Sequence, residues 1–573
     1  MTNGLTASKT TPFSFSGTPV SWFPKGETAL IATFSLALFF IKLLANFHYR
    51  IDSDEPQHVH VVWLWLHGQV AYRDFFDNHT PGFHLLCVPL LRLLGEHSRT
   101  LLLLRLTSVA AYAGCLCLAR NLLRTFTSRR VATWSALALG AFPPFFLTTT
   151  EFRPDILWTL LWLATLCTLV RSRGRPGAVG KAFFSLGLAF CVSMKSVLLL
   201  IALVVAAVVL VLADERAQRP LNWSGLSACA FSATGGLAIA PTLLVLYFWA
   251  HGALRNVYEC TVQHNLLPGD HSAIGTLARL LQWLLLMAIP AGACGWAWRQ
   301  TGKGTNGRRS IFLWLVAAAL AISLRCFWRF LTPEDYLPVF ALLVPLGAAA
   351  LLSATASWGT LFAAPACTAV LLTVTCWDRQ LFQNATHQKL HLVADVLRLT
   401  EADTPVMDAK GETMFRPRAS RLVLEHLTNL RVKKGLLQDD ISQELVAKRV
   451  PVVSDFKLLT KDQLFTQQYY VTVAWRLRVL GHALQPTFTP SGVEWRFATV
   501  IPADYSFIDP QGPVQGEVDG KPSGGMPVYL VPGAHVFRCE NHAGPVAYEW
   551  SHAFEKGFSP FGQLAPDVKR PED

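Results

Sequence analysis

The sequence predicts a polytopic α-helical membrane protein that carries a large water-soluble region at its carboxyl end. Apolar residues make up 52% of the 573 positions, charged residues only 15%, and 18 residues are tryptophan. Between residues 28 and 376 lie about eleven apolar runs with the length of membrane spans. After Trp377 these runs give way to short amphipathic helices and short apolar strands.

The predicted spans follow from the lengths of the apolar runs. Residues 181–213 are read as two short helices, because the basic loops on both sides of this stretch require an even number of crossings between them. Lys195 then lies at the tip between the two helices, on the side of the membrane opposite the basic loops. The spans are 28–47, 101–123, 131–150, 154–170, 181–194, 196–213, 226–250, 277–298, 310–330, 337–353 and 358–376.

The distribution of basic residues sets the predicted orientation. Thirteen of them occupy four short loops, which places these loops and the amino terminus in the cytoplasm and the region after Trp377 outside. The net charge of +12 does not indicate nucleic acid as a partner, because residues 377–573 hold 22 Lys and Arg against 23 Asp and Glu. Membrane lipids are the expected surroundings. The thirteen residues are Arg124, Arg129, Arg130, Arg171, Arg173, Arg175, Lys181, Arg216, Arg219, Arg299, Lys303, Arg308 and Arg309.

Four regions follow from this pattern. Residues 1–27 form a cytoplasmic tail without the features of a cleaved signal, and residues 28–376 form the membrane unit with a first external loop at 48–100. Residues 377–482 are predicted as an external α/β domain, and residues 483–573 as an external β-rich segment. Within the external loop, the apolar stretch from Pro81 to Leu94 is too short to cross and is predicted as a re-entrant or interfacial helix.

An acidic, histidine-rich stretch, Ile51 to His84, follows the first span. Asp52, Asp54 and Glu55 place three carboxylates within four residues at the membrane boundary. One interpretation is a helix start, with Asp54 as N-cap and Gln57 completing a capping box. The other is that one carboxylate caps while another faces a cavity as a general base. The helix that follows, about residues 56–67, is predicted to lie in the membrane interface.

The other polar connections rich in acids and histidines are predicted on the same external side. They are the Lys195 tip, the turn with Asp155, the turn with Arg325, Arg329, Glu334 and Asp335, and the loop with Glu259, His264 and Asp270. A lysine at membrane depth is expensive to keep and therefore a functional candidate, although it can also snorkel to the headgroups. A catalytic site on the external side explains all of these connections together.

Three motifs in this order carry a resemblance to a known family. They are DEPQHVHVVWLWLHGQVAYRDFFDNHTPGFHLL after the first span, FRPD at the start of the fourth, and SMKS at the Lys195 tip. The chain resembles the membrane glycosyltransferases of the GT-C fold, in particular the bacterial branch related to protein O-mannosyltransferases and lipid A aminoarabinose transferases. The resemblance implies a bacterial inner-membrane enzyme that takes a sugar from a polyprenyl-phosphate donor and transfers it, with inversion, to a glycan, lipid or protein acceptor outside.

The resemblance also implies roles for individual residues. Asp54 corresponds to the acid that acts as base or positions the acceptor, with Asp52 or Glu55 as its neighbour, and Asp155 to a second acid. The donor phosphate is assigned to Lys195 and Arg73, with Arg325 and Arg329 in reserve, because a guanidinium can hold two phosphate oxygens. The residues assigned to the acceptor or to secondary roles are His58, Asp77, His79 and His264. One departure is that His79 and Thr80 replace the more usual basic residue and proline.

Two questions stay open at this stage. Asp52 and Asp54 could hold Mg²⁺ or Mn²⁺, which favour carboxylate oxygens. A transporter or flippase for a lipid-linked or anionic substrate is the alternative to the enzyme, and a structural subunit with a degenerate site is a third hypothesis. Transporters generally contain inverted repeats, and none is recognisable here. The external region of 197 residues after residue 376 also suits a transferase better, since it can select or cover an acceptor.

Overall fold

The computed structural model describes residues 25–216, 223–266, 274–275, 277–278, 280–282, 284, 307–327, 331–354, 357–489, 492–539, 542 and 544–562. Residues 1–24 of the predicted cytoplasmic tail 1–27, most of the predicted span 277–298 and Arg329 lie outside this range.

The membrane unit is a bundle of helices that follows the predicted spans closely. Its described helices are α1 Lys25–His48, α2 Asp54–Leu66, α3 Gly82–Leu94, α4 Thr100–Leu123, α5 Arg129–Ala141, α6 Pro143–Thr148, α7 Pro154–Arg171, α8 Pro176–Val192, α9 Ser196–Arg216, α10 Trp223–Ala250, α11 Leu254–Val257, α12 Gly307–Phe327, α13 Leu337–Ala354 and α14 Ser357–Cys376. A π-helical turn, Tyr258–Gln263, continues α11, and a 3₁₀ turn, Pro333–Tyr336, leads into α13.

Seven helical segments in the described part of the chain are long and apolar enough to cross a bilayer, and three shorter apolar helices accompany them. The predicted span 131–150 is divided into α5 and α6 at Phe142, which is extended and is followed by Pro143 and Pro144. A proline disfavours helical backbone in the residue before it, so the division follows from the sequence. The chain is therefore a multi-pass membrane protein.

The stretch 181–213 does form two helices, as predicted. α8 ends at Val192, residues 193–195 turn, and α9 begins at Ser196. Lys195 contacts Asp155, near the start of α7, and Asp335, just before α13. The starts of α7 and α13 and the Lys195 tip therefore meet at one end of the bundle.

The helix α2 differs from its prediction. We expected an interfacial helix with one apolar face, but ten consecutive residues, Glu55 to Leu64, are buried. The loop after strand β1 packs on it so closely that a Cβ added to Gly411 would lie 2.9 Å from the Cβ of His60. The helix is thus covered by the carboxyl-terminal region instead of by headgroups.

The carboxyl-terminal region combines five helices with two sheets. The helices are α15 His387–Leu399, α16 His426–Lys433, α17 Ile441–Ala447, α18 Thr460–Tyr469 and α19 Ser551–Glu555. The strands are β1 Val406–Met407, β2 Val452–Ser454, β3 Tyr470–Ala474, β4 Leu477–Leu484, β5 Pro486–Thr489, β6 Gly492–Thr499, β7 Ala503–Asp509, β8 Gly512–Pro513, β9 Glu517–Val518, β10 Lys521–Pro522, β11 Val528–Leu530, β12 Gly533–Cys539 and β13 Val546–Trp550.

The predicted division between residues 482 and 483 does not hold in the sheets. The eight-stranded sheet runs β1-β2-β4-β13-β7-β11, with β3 beside β4 and β8 beside β7, so β4 joins the α/β part to the β-rich part. The five-stranded sheet, β10-β9-β12-β6-β5, faces it through an aromatic core in which the rings of Phe507 and Phe537 stack 4.3 Å apart. Strand pairing and this shared core make one domain, called the carboxyl-terminal domain below.

This domain rests on residues 48–100 of the membrane unit and on the segment around His264. Lys389 donates to the carbonyl of Ile51 at 2.8 Å, and Arg431 donates to the carbonyl of His264 at 3.2 Å. Glu425 accepts from Asn78 at 2.8 Å and lies 3.0 Å from Nε2 of His264. These contacts bring charged side chains of the domain to the same end of the bundle as Lys195.

Candidate active site

A cavity of about 630 Å³ lies where the helix ends of the bundle meet the carboxyl-terminal domain. Its wall includes the start of α2, the loop after it, the start of α7, the Lys195 tip and the turn before α13. The carboxyl-terminal domain closes the other side. The charged residues and histidines that line it are Asp54, His79, Arg153, Asp155, Lys195, Glu334, Asp335, Lys410, Glu425, His426 and Lys457.

Arg153 is the centre of the charged wall. It immediately precedes α7, where Pro154 occupies the first helical turn. Its guanidinium lies 2.8 Å from a carboxylate oxygen of Asp54, 3.5 Å from Asp155 and 2.5 Å from Glu334. One buried cation therefore holds three carboxylates that come from three separate elements of the sequence.

Lys195 forms the second cationic point. Its ammonium group pairs with Asp335 and lies 3.4 Å from Asp155. Burial would lower the pKa of Lys195, but Asp335 and Asp155 raise it above its ordinary value. The lysine is thus protonated and held at the cavity wall, which a snorkelling side chain would not be.

Asp54 is held by two cations from opposite sides. Arg153 approaches from the membrane unit, and Lys410 pairs with the other oxygen of Asp54 from the carboxyl-terminal domain. Burial would raise the pKa of Asp54, yet the two cations lower it well below its ordinary value. Asp54 is therefore an anion at any physiological pH, and 23% of its side chain stays accessible from the cavity.

Comparisons with known proteins bear on the fold of this chain. The family model of dolichyl-phosphate-mannose-protein mannosyltransferases matches residues 78–244. The crystal structure of ArnT from Cupriavidus metallidurans in the apo state superposes with a TM-score of 0.58 at 14% identity and covers 79% of this chain and 97% of that one. Its complex with undecaprenyl phosphate gives the same TM-score, identity and coverage of this chain, and 98% of its own. No curated protein sequence matches the chain.

This chain has the GT-C fold. The family match over residues 78–244 and this fold favour the enzyme hypothesis over the transporter hypothesis. The matched segment contains Arg153, Asp155 and Lys195 and begins after Asp54.

The acidic neighbours of Asp54 have different surroundings. Glu55 is fully buried, receives two hydrogen bonds from Arg105 at 2.7 and 2.6 Å, and accepts from the backbone of Phe152 at 2.7 Å. It does not line the cavity, so the structure offers no route by which Glu55 could meet an acceptor. Its carboxylate joins α2 to α4 and to the start of α7.

Asp52 supports the helix start instead of lining the cavity. One of its oxygens accepts from the backbone of Asp54 at 3.0 Å and lies 3.3 Å from Arg153, and the other lies 3.2 Å from Arg50. Ser53 is the N-cap residue, and Asp54 is the first residue of α2. The N-cap assignment of Asp54 was therefore wrong by one position, and the predicted capping box with Gln57 does not form.

A histidine cluster adjoins the cavity. Asp77 lies 2.9 Å from Nδ1 of His79 and 3.6 Å from Nδ1 of His84, whose Nε2 lies 3.0 Å from Nδ1 of His58. Only His79 of this group lines the cavity. Burial would lower the pKa of His79, but the hydrogen bond with Asp77 and its charge raise it above the ordinary value. The structure thus brings together His58, Asp77 and His79, of which His79 can meet a substrate.

The remaining predicted cations lie away from this wall. Arg73 is half-exposed, pairs with the adjacent Asp74 at 2.8 Å and is absent from the cavity lining, because its loop turns toward α10 and the carbonyl of His251. Arg325, at the end of α12, hydrogen-bonds the side chain of Tyr336 and does not line the cavity either. His264 is buried against Glu425 behind the lining.

The structure adds residues to which the sequence assigned no role. Arg153 stands inside the FRPD motif, between the buried Phe152 and the start of α7. A charged residue in that position could have been recognised from the sequence as a candidate site residue. Glu334 and Asp335 were expected on the same side as Asp54, and both line the cavity with it. Lys410 and Glu425 come from the carboxyl-terminal domain, and no local pattern marks them.

The carboxylates predicted to hold Mg²⁺ or Mn²⁺ are not arranged for a metal ion. Both oxygens of Asp54 already face cations, one from Arg153 and one from Lys410. Asp52 faces Arg50 and Arg153. Within the described residues, no group of three or more His, Cys, Asp or Glu side chains has the arrangement of a metal site. The carboxylates of Asp52 and Asp54 therefore pair with basic side chains in this arrangement.

Proposed function

We propose that the protein transfers a sugar from a polyprenyl-phosphate donor to an acceptor on the external side of the membrane, with inversion at the anomeric carbon. The observation that carries the proposal is one cavity whose wall holds an accessible, permanently ionised carboxylate, Asp54, and a protonated lysine, Lys195. The similar ArnT structure that is bound to undecaprenyl phosphate supports the class of donor.

The donor phosphate is assigned to the side of Lys195. When the bond between the sugar carbon and the phosphate oxygen breaks, the polyprenyl phosphate leaves with an additional negative charge. Lys195 supplies a fixed ammonium group for that charge in a partly dry site, where charge-assisted hydrogen bonds are strong. His79 lines the same cavity and is positively charged when protonated, so it is the second candidate for the phosphate.

The acceptor is assigned to the side of Asp54. An acceptor hydroxyl or amine attacks the sugar carbon from the face opposite the phosphate, and its proton passes to the carboxylate as the new bond forms. Arg153 stands between Asp54 and the pair formed by Asp155 and Lys195, which separates the acceptor side from the donor side. A single displacement of this kind inverts the configuration.

The turnover experiment uses the purified full chain in detergent with undecaprenyl-phosphate-linked sugars, one sugar at a time. Extracted membrane lipid, glycan or protein serves as the acceptor. We expect release of undecaprenyl phosphate and a product whose anomeric configuration, read by NMR, is opposite to that of the donor. A product of retained configuration would contradict the single displacement, and absence of any donor cleavage across the sugars would contradict the proposed function.

The external orientation is part of the proposal and has its own test. The Lys195 tip should face the periplasm or exterior of a bacterial inner membrane, with the amino terminus in the cytoplasm. A single cysteine at the tip, Ser193→Cys, in a chain whose native cysteines are replaced should react with a membrane-impermeant thiol reagent in cells with a permeable outer membrane. Reaction only after the inner membrane is broken would reverse the orientation.

A further inference from the structure

A second cavity of about 260 Å³ lies next to the first, between α2 and the carboxyl-terminal domain. Its wall on the membrane side includes Gln57, His60 and Asp74, from α2 and the loop after it. The opposite wall is formed by residues 417–421 and Val423 together with Lys410 and Lys448. None of the predicted catalytic residues lines this second cavity.

The second cavity is lined by more positive than negative groups. Four basic side chains, Lys410, Arg418, Arg421 and Lys448, line it, against one carboxylate, Asp74. The acids that pair with three of these cations, Asp54, Asp408 and Glu444, do not line the cavity. An anionic group in the cavity would therefore meet the cations directly, while their carboxylate partners stay behind them.

Lys410 lines both cavities and separates them. It is only 8% exposed, and its ammonium group pairs with Asp54. The loop that carries it is fixed by Asp408, which accepts from the backbone of Gly411 at 2.7 Å and of Thr413 at 2.9 Å. Gly411 has φ +86 and packs against α2, which anchors the backbone of this loop. The long side chain of Lys410 can therefore change position while the backbone stays fixed.

We propose that the second cavity binds an anionic group of the acceptor, a phosphate or a carboxylate, and that this group draws Lys410 away from Asp54. This inference rests on the proposed function, since it names the acceptor class for the same site. With Lys410 in place, Asp54 is shared between two cations and accepts a proton poorly. With Lys410 on the acceptor's anion, Asp54 keeps Arg153 alone and becomes a better base. The arrangement couples acceptor binding to chemistry and protects the donor from water until an acceptor arrives.

The test measures binding of radiolabelled inorganic phosphate to the full chain in detergent by equilibrium dialysis. A Lys195→Gln background removes the cation assigned to the donor phosphate, so the second cavity is observed. Replacing Arg421 and Lys448 together by glutamine should weaken phosphate binding by about tenfold, the size of one lost charge-assisted contact. The matched control is Lys461→Gln, an exposed lysine of the same domain that lies outside both cavities. It should bind phosphate as the parent does.

The two members of the ion pair should act in opposite directions. Lys410→Met should weaken phosphate binding, whereas Asp54→Asn should strengthen it several-fold, because phosphate no longer competes with the carboxylate for the lysine. A purely structural Lys410 predicts no gain in Asp54→Asn. Melting curves identify any variant that fails to fold, and Asp54→Asn keeps the test decisive if Lys410→Met is unstable. No gain in Asp54→Asn, or unchanged binding in the double variant, would overturn the proposal.

The source of the anion is distinguished by competition. Glucose 1-phosphate that displaces the labelled phosphate supports an acceptor glycan with a phosphate, and dihexanoyl phosphatidic acid that does so supports a lipid headgroup. Acetate that displaces it as well as phosphate does supports a carboxylate. Failure of all three overturns the acceptor assignment. Phosphate binding is measured without sugar transfer, so the two proposals can fail separately. If the variants change phosphate binding as expected but the protein shows no turnover, the proposed function is refuted and the anion-binding site is still supported.

Discussion

Two charged centres lie side by side under α2, and they differ in what their charges face. In the first, Arg105 is fully buried and its guanidinium donates to Glu55 and to the carbonyls of Asn46, Tyr49 and Arg50. In the second, Arg153 is surrounded by several carboxylates at the wall of a cavity. The Arg105–Glu55 pair has all its polar groups hydrogen-bonded, so it stabilises the junction of the helices that it joins. The centre at Arg153 has more carboxylates than cations and borders a cavity, so its charged groups are able to act on a substrate. Adjacent residues of the sequence, Asp54 and Glu55, thus belong to different centres.

The largest effect on folding is expected at the first centre. Arg105→Met should destabilise the protein by about 3–5 kcal/mol, because it leaves the carboxylate of Glu55 buried without its cation. Thermal unfolding of the purified protein measures this loss. Asp54→Asn is the matched variant at the second centre and should lose less stability, because Arg153 keeps its contacts with Asp155 and Glu334, and Lys410 faces the cavities. Equal melting temperatures for both variants would remove the distinction between the centres.

A smaller effect is expected on the donor. Lys195→Gln should raise the KM for polyprenyl-phosphate sugar by about tenfold to a hundredfold, the range of a charge-assisted hydrogen bond. Arg73→Gln should leave this KM unchanged, since Arg73 pairs with Asp74 outside the cavity. Donor titration at saturating acceptor gives both values. A shift with Arg73→Gln but none with Lys195→Gln would move the phosphate site from the Lys195 tip to the loop after α2.

The smallest effect is a dependence on pH. The pKa of His79 in the folded protein lies above its ordinary value of 6.5, although burial opposes this, because Asp77 accepts a hydrogen bond from the ring and its negative charge stabilises the protonated form. A raised pKa means that the positive charge is complete at low pH and is lost as the pH rises through the folded pKa. Donor affinity should therefore fall a few-fold above that pKa, and Asp77→Asn should shift the fall to lower pH. An identical pH profile in His79→Gln would exclude His79 from the phosphate site.

The sequence was sufficient for the parts of the molecule that depend on local pattern. Apolar run lengths and basic loops predicted most helices of the bundle and the Lys195 tip, because both follow from the cost of placing charges and unpaired backbone in lipid. Short apolar segments between turn residues predicted many of the strands. Strand β4 was missed because its sequence, LRVLGHAL, lies at the predicted boundary and pairs with strands on both sides of it.

The candidate site was predictable only in part, for a physical reason. Asp54, Asp155 and Lys195 each follow or precede an apolar run, and so the pattern places them at one membrane surface. The position of Arg73 outside the cavity depends on how its loop folds, which periodicity does not report. Lys410 is 356 residues away from its partner Asp54, and no local signal connects two side chains at that distance.

The most direct test of the account compares the turnover of two purified variants, Asp54→Asn and Glu151→Gln. Glu151 lies in the same charged region, 3.8 Å from Arg153, but burial raises its pKa to about 8, so it is largely neutral at pH 7 and glutamine imitates it. We predict that Asp54→Asn lowers turnover by about 10²–10⁴ in protein that melting curves show to be folded, with donor affinity unchanged. Glu151→Gln should stay within a few-fold of the parent. Turnover retained by Asp54→Asn, or lost equally in both variants, would contradict the assignment of Asp54 as the catalytic carboxylate.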